Sequence, residues 1–426
     1  MSQVVVIGLG YVGLSAAVGF ASLGHTVVGI DIDENRVKGL AKGEISFHEP
    51  EMQNLLRREI TSRNIRFSRS YEVLSEIANP IVFVCTPTPT GSDGNQNLSY
   101  VRSAIESTLK HAPKVGLLVI KSTVSVGTTW QLQSEFGTSD LTVVSNPEFL
   151  SEGTAMYDFL NPSRIVAGSS NQNASKTVLE LYSGIDSPKV LCTSETAETI
   201  KYASNSMLAV KLSFVNEIAS LCEFTGADVA DVFLGMSLDS RIGERFLNPG
   251  PGWGGSCFPK DTRELATSAR QFGLQMTTLE GAIESNVRHL EQVTSRLQLH
   301  LGGNLSGKTI AMLGLAFKAN TSDTRDSPSI KVAETLISKG ANVRAYDPVA
   351  RLPENSKIQQ ANSPLQASAG ADALLVMTEW EEFGRINPIE LSRVMLDNPV
   401  VFDTRGVLKA SEWEKTFHRF LAVGSK

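Results

Sequence analysis

Short apolar runs that end in glycine or a polar turn alternate with stretches of helical periodicity through the first third of the chain. "VVVIGLG", "TVVGIDID", "PIVFVCTPT", "GLLVIKSTV" and "LTVVSNPEF" read as buried strands. Between the first two, "YVGLSAAVGFASLGH" has helical spacing and closes near Gly24. Strands apolar on both faces, separated by helices, predict a parallel sheet covered on both sides. From about Ser194 the texture changes. "SETAETIKYASNSMLAVKLSFVNEIASLCEFTG" lacks proline, and its one glycine is the terminal Gly226. That predicts one long helix, followed by shorter ones to about residue 300. After "LGGNLSGK" the alternation returns, with strands in "KTIAMLGLAF", "ANVRAYDP", "ADALLVMT" and "NPVVFDTR". "LGHTVVGIDID" (23–33) and "KGANVRAYDPV" (339–349) share one order: a glycine at a helix end, a strand, then an aspartate.

Composition narrows the class. The 426 residues are 41% apolar, enough for a core in each of two or three domains. Lys and Arg number 39 against 45 Asp and Glu, a formal net charge of −6 with no basic run, so no nucleic-acid partner is expected. Small anions stay open, because local arginines and backbone N–H groups can bind them. Cys85, Cys192, Cys222 and Cys257 are far apart and form no CxxC pair. Neither a metal site nor a disulfide framework is expected, and a reducing cytoplasm fits. The N-terminus is apolar without a basic segment and reads as a strand, not a signal peptide. No apolar run reaches the roughly 18 residues that a bilayer requires, so no membrane partner is expected.

Candidate chemistry begins with "GLGYVG", between the first strand and the first helix. Gly8 permits the tight turn, Gly10 lets a pyrophosphate approach the backbone, and Gly13 lets helix and strand pack closely. The phosphates then meet free N–H groups at a helix N-terminus. Asp31, ending the second strand, can accept from both ribose hydroxyls, which favours NAD over NADP. A plain tight turn would use the same glycines; the strand, helix and acid together favour the dinucleotide. The fold class is therefore α/β: two Rossmann-like doubly wound parallel-sheet domains, residues 1–193 and 301–426, joined by an all-helical region, 194–300. In the second of them the equivalent turn is "GLAFKA", with alanines for two glycines. Lys318 and Arg325 could meet phosphates there by charge, and a solvated basic loop would look the same.

"NPGPGWGGSCFPKD" (248–261) is the most unusual stretch. Its glycines let backbone lie against a ligand, its prolines stiffen it, and Trp253 offers a face or an indole N–H. Cys257 is followed by Lys260 and Asp261. A thiolate is the reactive form, and a nearby cation favours it. The other reading is a structural cysteine in a Gly-rich turn. Lys201 and Asn205 in "KYASN" share a helix face and can hold an oxyanion or a water, as exposed surface pairs also would. Glu148 and Glu152 in "NPEFLSEG" follow a strand, where open α/β sheets place ligands. A carboxylate there can order or deprotonate water, or favour a helix N-terminus. Thr86 and Thr123 follow two other strands and face the same crevice.

Together, an NAD site and a candidate cysteine nucleophile point to a primary alcohol carried through an aldehyde to an acid, by way of a thiohemiacetal and a thioester. "GLGYVGL", "NPEFLSEGTAMYDFLNP", "IKYASNSMLA", "GWGGSCFPKD" and "FKANTSDTRDSPS", in this order, resemble the UDP-glucose/GDP-mannose dehydrogenase family from Gly8 to Arg405. The resemblance implies a four-electron oxidation of a hexose C6 with two NAD. It implies Cys257 as nucleophile, with Lys201, Asn205, Asp261, Glu148 and Thr123 supporting the oxyanion and water chemistry. Toward NAD it implies Gly8, Gly10, Tyr11, Val12, Gly13, Asp31, Arg36, Thr86, Thr123, Glu152, Lys260 and Arg325. Toward the sugar nucleotide it implies Glu148, Phe149, Leu150, Glu152, Lys201, Asn205, Asn248, Pro249, Gly250, Gly252, Trp253, Gly254, Phe317, Lys318 and Arg405. Arg241 would reach in from a neighbouring subunit of a homodimer, or higher homo-oligomer, built through the long helices. "DSRIGERFL" and "GGSCFPKD" resemble the branch acting on UDP-glucose; GDP-mannose and UDP-N-acetyl sugars are the alternatives within the family.

Two positions depart from the family pattern. Ser125 replaces the usual proline, which predicts a looser nicotinamide-side loop. Gly406 replaces a common asparagine, which weakens Arg405 as a substrate contact. Outside the family, the rivals are a two-electron β-hydroxyacid dehydrogenase and a nucleotide sensor. The first lacks the cysteine loop and the second nucleotide domain; the second has no use for Cys257, Lys201, Asn205 and Glu148 together.

Overall fold

The computed structural model describes residues 1–89, 91 and 96–425. Its contacts divide into two compact units: Met1–Ser204 with Thr267–Phe272, and Asn205–Ala266 with Gly273–Lys426.

The first unit is built on eight strands: β1 Gln3–Ile7, β2 Thr26–Ile30, β3 Ile65–Ser68, β4 Ile81–Val84, β5 Leu117–Ile120, β6 Thr142–Ser145, β7 Ile165–Gly168 and β8 Lys189–Cys192. Their order is β3-β2-β1-β4-β5-β6-β7-β8. The order reverses at β1, which lies between β2 and β4, so the carboxyl ends of β1 and β4 flank a crevice of the kind that holds ligands. Every pair in this sheet is parallel except β6 with β7. The helix joining those two strands, Ala155–Leu160, has six residues. The helix Tyr11–Ser22 is buried from Gly13 to Ala21. Phe20 anchors it, with ring centroids 4.8 Å from Phe83, 5.3 Å from Phe159 and 5.0 Å from Tyr182.

The second unit holds six strands: β9 Thr309–Leu313, β10 Asn342–Tyr346, β11 Gln359–Gln360, β12 Ala373–Val376, β13 Val400–Asp403 and β14 Phe420–Ala422. They run all parallel in the order β11-β10-β9-β12-β13-β14, with β9 at the switch point. The predicted long helix is Ser194–Thr225. It stops where expected, at Gly226 with φ +77°. Val229–Ser237, Phe258–Gln271 and Thr277–His300 follow it. The fold is thus α/β, with two Rossmann-like sheets and a helical region between them in sequence. Among the described residues no helix is long and apolar enough to cross a membrane, and no His, Cys, Asp and Glu cluster could hold a metal.

Candidate active site

In the first unit the glycine-rich turn has the geometry a dinucleotide needs. Gly8 takes φ +86°. A Cβ on Gly13 would lie 1.8 Å from the Gly8 carbonyl oxygen, so only glycine lets the helix start this close to β1. A Cβ on Gly10 would meet nothing within 4 Å: the space in front of the helix N-terminus is open. Tyr11 and Val12 form the first turn there. Thr86 Oγ1 is buried beside it without a hydrogen-bond partner among the described residues. An open cradle, a helix N-terminus and an unpartnered hydroxyl fit the phosphates and nicotinamide side of NAD.

Asp31 is buried and already organised. Its carboxylate accepts from Leu9 N at 2.7 Å, Asp33 N at 2.9 Å and Arg36 at 2.9 Å. Arg36 thus stands beside the carboxylate that would take the ribose. Asp347, the matching aspartate in the second unit, has a different task. Its carboxylate is fully buried and accepts from Leu315 N, Ala316 N, Val349 N, Ala350 N and the Trp380 indole. Five donors leave it no capacity for a ribose.

The loop after β6 carries the first catalytic candidates. Glu148 Oε1 accepts from Lys201 Nζ at 2.7 Å, with both side chains about 5% exposed. Leu150 N donates to Glu148 Oε2 at 2.6 Å. Burial alone would raise the Glu148 carboxyl, but the Lys201 ammonium and the Leu150 N–H hold it below the usual carboxylate range. Phe149 lies flat under Arg164, whose guanidinium carbon is 3.5 Å from the ring centroid. Lys121, pushed down to about 8 by burial, donates to Asn146 Oδ1 at 3.1 Å and so anchors the backbone leading to Glu148. Half-buried Glu152 is in the electrostatic field of Tyr11. The Tyr11 hydroxyl binds the buried Glu49 carboxylate, which also accepts from Gly153 N and Ala155 N at 2.7 Å. Glu49 therefore ties the loop after Glu148 to the glycine-rich turn.

Thr123 is held through its carbonyl, which accepts from Thr88 Oγ1 at 2.9 Å and Gln96 Nε2 at 2.7 Å. The looser loop expected from Ser125 is not found. Its N–H, which proline would lack, donates to Gln96 Oε1 at 2.9 Å and pins the segment. Glu198 on the long helix accepts from Gly127 N at 2.6 Å and Thr129 N at 2.7 Å, capping the next helix. Burial pushes its carboxyl up to about 7.

In the second unit, Cys257 stands at the start of Phe258–Gln271, its carbonyl accepting from Asp261 N at 2.8 Å. Asp261 is buried; it accepts from Asn205 Nδ2 at 2.6 Å and lies 2.7 Å from Lys260 Nζ. Gly250, Gly252, Trp253 and Gly254 lie along the loop before it, with Asn248 exposed and Pro249 half-buried. A Cβ on Gly254 would lie 2.2 Å from the Asp326 carbonyl oxygen, and one on Gly255 2.8 Å from the Phe317 ring. Arg405 donates to the carbonyls of Phe317 and Met377, each at 3.0 Å, and packs against Gly250. Gly406 takes φ +65°, a conformation asparagine also tolerates, so its substitution leaves Arg405 in place. Lys318 lies 5.6 Å from the Phe317 ring centroid, and exposed Arg325 is paired with Asp323 at 2.7 Å. Arg241 is exposed and paired with Asp239.

The first unit thus brings together Lys201 and Glu148, and the second Asn205, Asp261 and Lys260. Sequence reasoning passed over Glu49, Lys121, Arg164, Glu198 and the side chains that hold the cysteine loop. Only Lys121, directly after the apolar run Leu117–Ile120, carried a local signal.

Comparison with known proteins agrees along the chain. The UDP-glucose/GDP-mannose dehydrogenase family models match in order: the NAD binding domain over residues 2–186, the central domain over 195–288 and the UDP binding domain over 311–410. A UDP-glucose 6-dehydrogenase of Rhizobium meliloti is 39% identical over 99% of both chains. The structure of a UDP-glucose dehydrogenase from Pyrobaculum islandicum superposes with a TM-score of 0.91 at 34% identity, covering 100% of this chain and 98% of that one. A UDP-D-ManNAc dehydrogenase from Pyrococcus horikoshii gives 0.87 at 28% identity, covering 99% of each.

Proposed function

The chain belongs to the UDP-glucose/GDP-mannose dehydrogenase family, and from that premise we propose that it oxidises the C6 alcohol of UDP-glucose to the carboxylate of UDP-glucuronate. The observation that carries the chemistry is a cysteine at the N-terminus of a helix whose Asp261 accepts from Asn205 of the long helix at 2.6 Å. NAD, when bound at the glycine-rich turn, would supply hydride acceptance, one molecule for each of the two oxidations. Asp31, held by Arg36 and two backbone N–H groups, orients its ribose. The first oxidation yields the aldehyde. The Cys257 sulfur adds to it, giving a thiohemiacetal whose oxygen Lys201 and Asn205 stabilise. Loss of the second hydride leaves a thioester. Glu148, charged beside Lys201, orders the water that hydrolyses it, restoring the thiol and releasing the acid. The UDP moiety is held in the second unit by Phe317, Lys318, Arg405 and the 248–254 backbone. Similarity to the Rhizobium meliloti enzyme supports UDP-glucose over the other nucleotide sugars.

The test is NADH formed per sugar nucleotide consumed, with UDP-glucose, GDP-mannose and UDP-N-acetylglucosamine in parallel. Two NADH per UDP-glucose are expected, with the other two inert. One NADH per sugar would return the chain to the two-electron dehydrogenases.

We also propose a homodimer in the cytoplasm, where the four free cysteines stay reduced. Met207, Phe214 and Leu221, at seven-residue spacing on the long helix, are 64%, 50% and 55% exposed. Burying each would contribute about 1.5–3 kcal/mol. Phe214→Glu should convert the dimer to monomer in sedimentation and lower turnover, because Arg241 acts in the neighbouring subunit. An unchanged mass would overturn the helix interface.

A further inference from the structure

The loop before Cys257 is made of residues that resist order. Gly252 sits at φ +128° and Gly255 at φ +84°, conformations that cost glycine-rich backbone the most entropy to fix. Yet this loop has to deliver one sulfur atom to one place. The hydrogen bonds that reach its backbone come from side chains on two helices. The Asn286 carboxamide closes on Trp253 from both sides: Trp253 N donates to Oδ1 at 2.9 Å, and Nδ2 donates to the Trp253 carbonyl at 3.0 Å. One side chain supplies the pairing that a neighbouring strand would make. Gly252 is what admits it, since a Cβ there would stand 2.9 Å from Asn286 Oδ1.

His289, three residues on, donates from Nε2 to the Gly250 carbonyl at 2.7 Å, and Gly250 N donates to Asn216 Oδ1 at 2.9 Å. The Trp253 indole donates to Ser213 Oγ at 2.9 Å. Asn286 is 6% exposed and His289 7%, so these bonds do not compete with bulk water. Trp253 and Asn286 also line a cavity of about 280 Å³, bounded by Pro259, Ile283, Leu290 and Val332. A loop released from the carboxamide has space to move into.

We propose that Asn286, assisted by His289, is a positioning residue that fixes where Cys257 stands and so whether the aldehyde is captured before it escapes. The capture step rests on the reading above; the positioning of the sulfur does not. The test is Asn286→Ala with two readouts. In the free enzyme, alkylation of Cys257 by iodoacetamide, followed by mass spectrometry of its peptide, should accelerate about tenfold as the loop is released. In turnover, NADH per UDP-glucose consumed should fall from two toward one, with free aldehyde trapped as its semicarbazone and the KM for NAD unchanged. A folded Asn286→Ala enzyme with wild-type alkylation and two NADH per sugar would overturn the proposal. If that variant does not fold, His289→Leu and His289→Gln decide. Only Gln keeps an N–H for Gly250, so Leu should accelerate alkylation and Gln should not; equal rates would overturn the proposal. One NADH per sugar in the wild type would instead remove the reaction assigned above, and the alkylation rates would still judge the positioning.

Discussion

Cys257→Ala should form no UDP-glucuronate, and steady-state turnover should fall by on the order of 10⁴-fold or more, as for loss of a covalent nucleophile elsewhere. The side chain is small and lies at the start of a helix, so alanine keeps the fold and the loop. On the proposed route, what it removes is the atom that holds the aldehyde carbon while the second hydride leaves. The helix N-terminus favours a sulfur anion at that position, and the buried Asp261 one turn on accepts from Asn205 at 2.6 Å. The first oxidation needs no thiol. The variant should therefore still bind UDP-glucose within a few-fold of wild type and show at most one NADH per active site in a burst. Stopped-flow absorbance at the NADH band, with mass analysis of the product, reads both. Turnover at the wild-type rate, or acid formed without Cys257, would end the covalent route.

How far the chain could be read in advance follows from the range of each interaction. The glycine-rich turn, Asp31 and the long helix were legible because their physics is local: a turn needing positive φ, an acid at a strand end, an unbroken helical period closed by Gly226. Strands β3 and β8 were not, because "IRFS" and "KVLC" mix charged or polar residues into four positions, and β7 was not, because half of "IVAG" is alanine and glycine. The reversal of β7 is a matter of pairing across the sheet, at Ser145 and Gly168, which no periodicity announces. Glu49, Glu198 and Asn286 were invisible as site residues because their partners lie 104, 71 and 33 residues away. Asp31 and Asp347 make the limit plain. Their local sequence is nearly the same, but Trp380 and four backbone N–H groups consume the second carboxylate. Position 125 teaches the converse: removing a proline freed an N–H that Gln96 then used.

Lys201→Met should have the second large effect, and it should appear in stability as well as rate. Lys201 and Glu148 form a buried ion pair at 2.7 Å. Removing the cation leaves a carboxylate in a site that burial alone would make hostile to it, a loss of about 3–5 kcal/mol if the charge stays. The carboxyl will take up a proton instead, and its affinity for that proton must rise above the ordinary range. In the wild type the folded-state value is depressed, so the pair stabilises above the ordinary carboxylate range and loses its effect as pH falls in acid. In the variant the sign reverses. Stability is highest in acid and falls as pH rises through the new, raised value. The difference in melting temperature between wild type and variant should therefore be small near pH 5 and widen toward pH 8. On the proposed mechanism turnover should drop by about 10²–10⁴-fold, because that route uses Lys201 as oxyanion donor and the Glu148 charge to order water. Adding Glu148→Gln separates the two effects. The double variant removes the uncompensated Glu148 carboxylate and leaves buried Lys121, already pushed down to about 8, free to lose its proton, so it should recover part of the melting temperature at pH 8 while remaining as inactive as Lys201→Met. A melting difference independent of pH would mean that the Glu148 charge is not sustained by Lys201, and recovered turnover in the double variant would remove both residues from the chemistry.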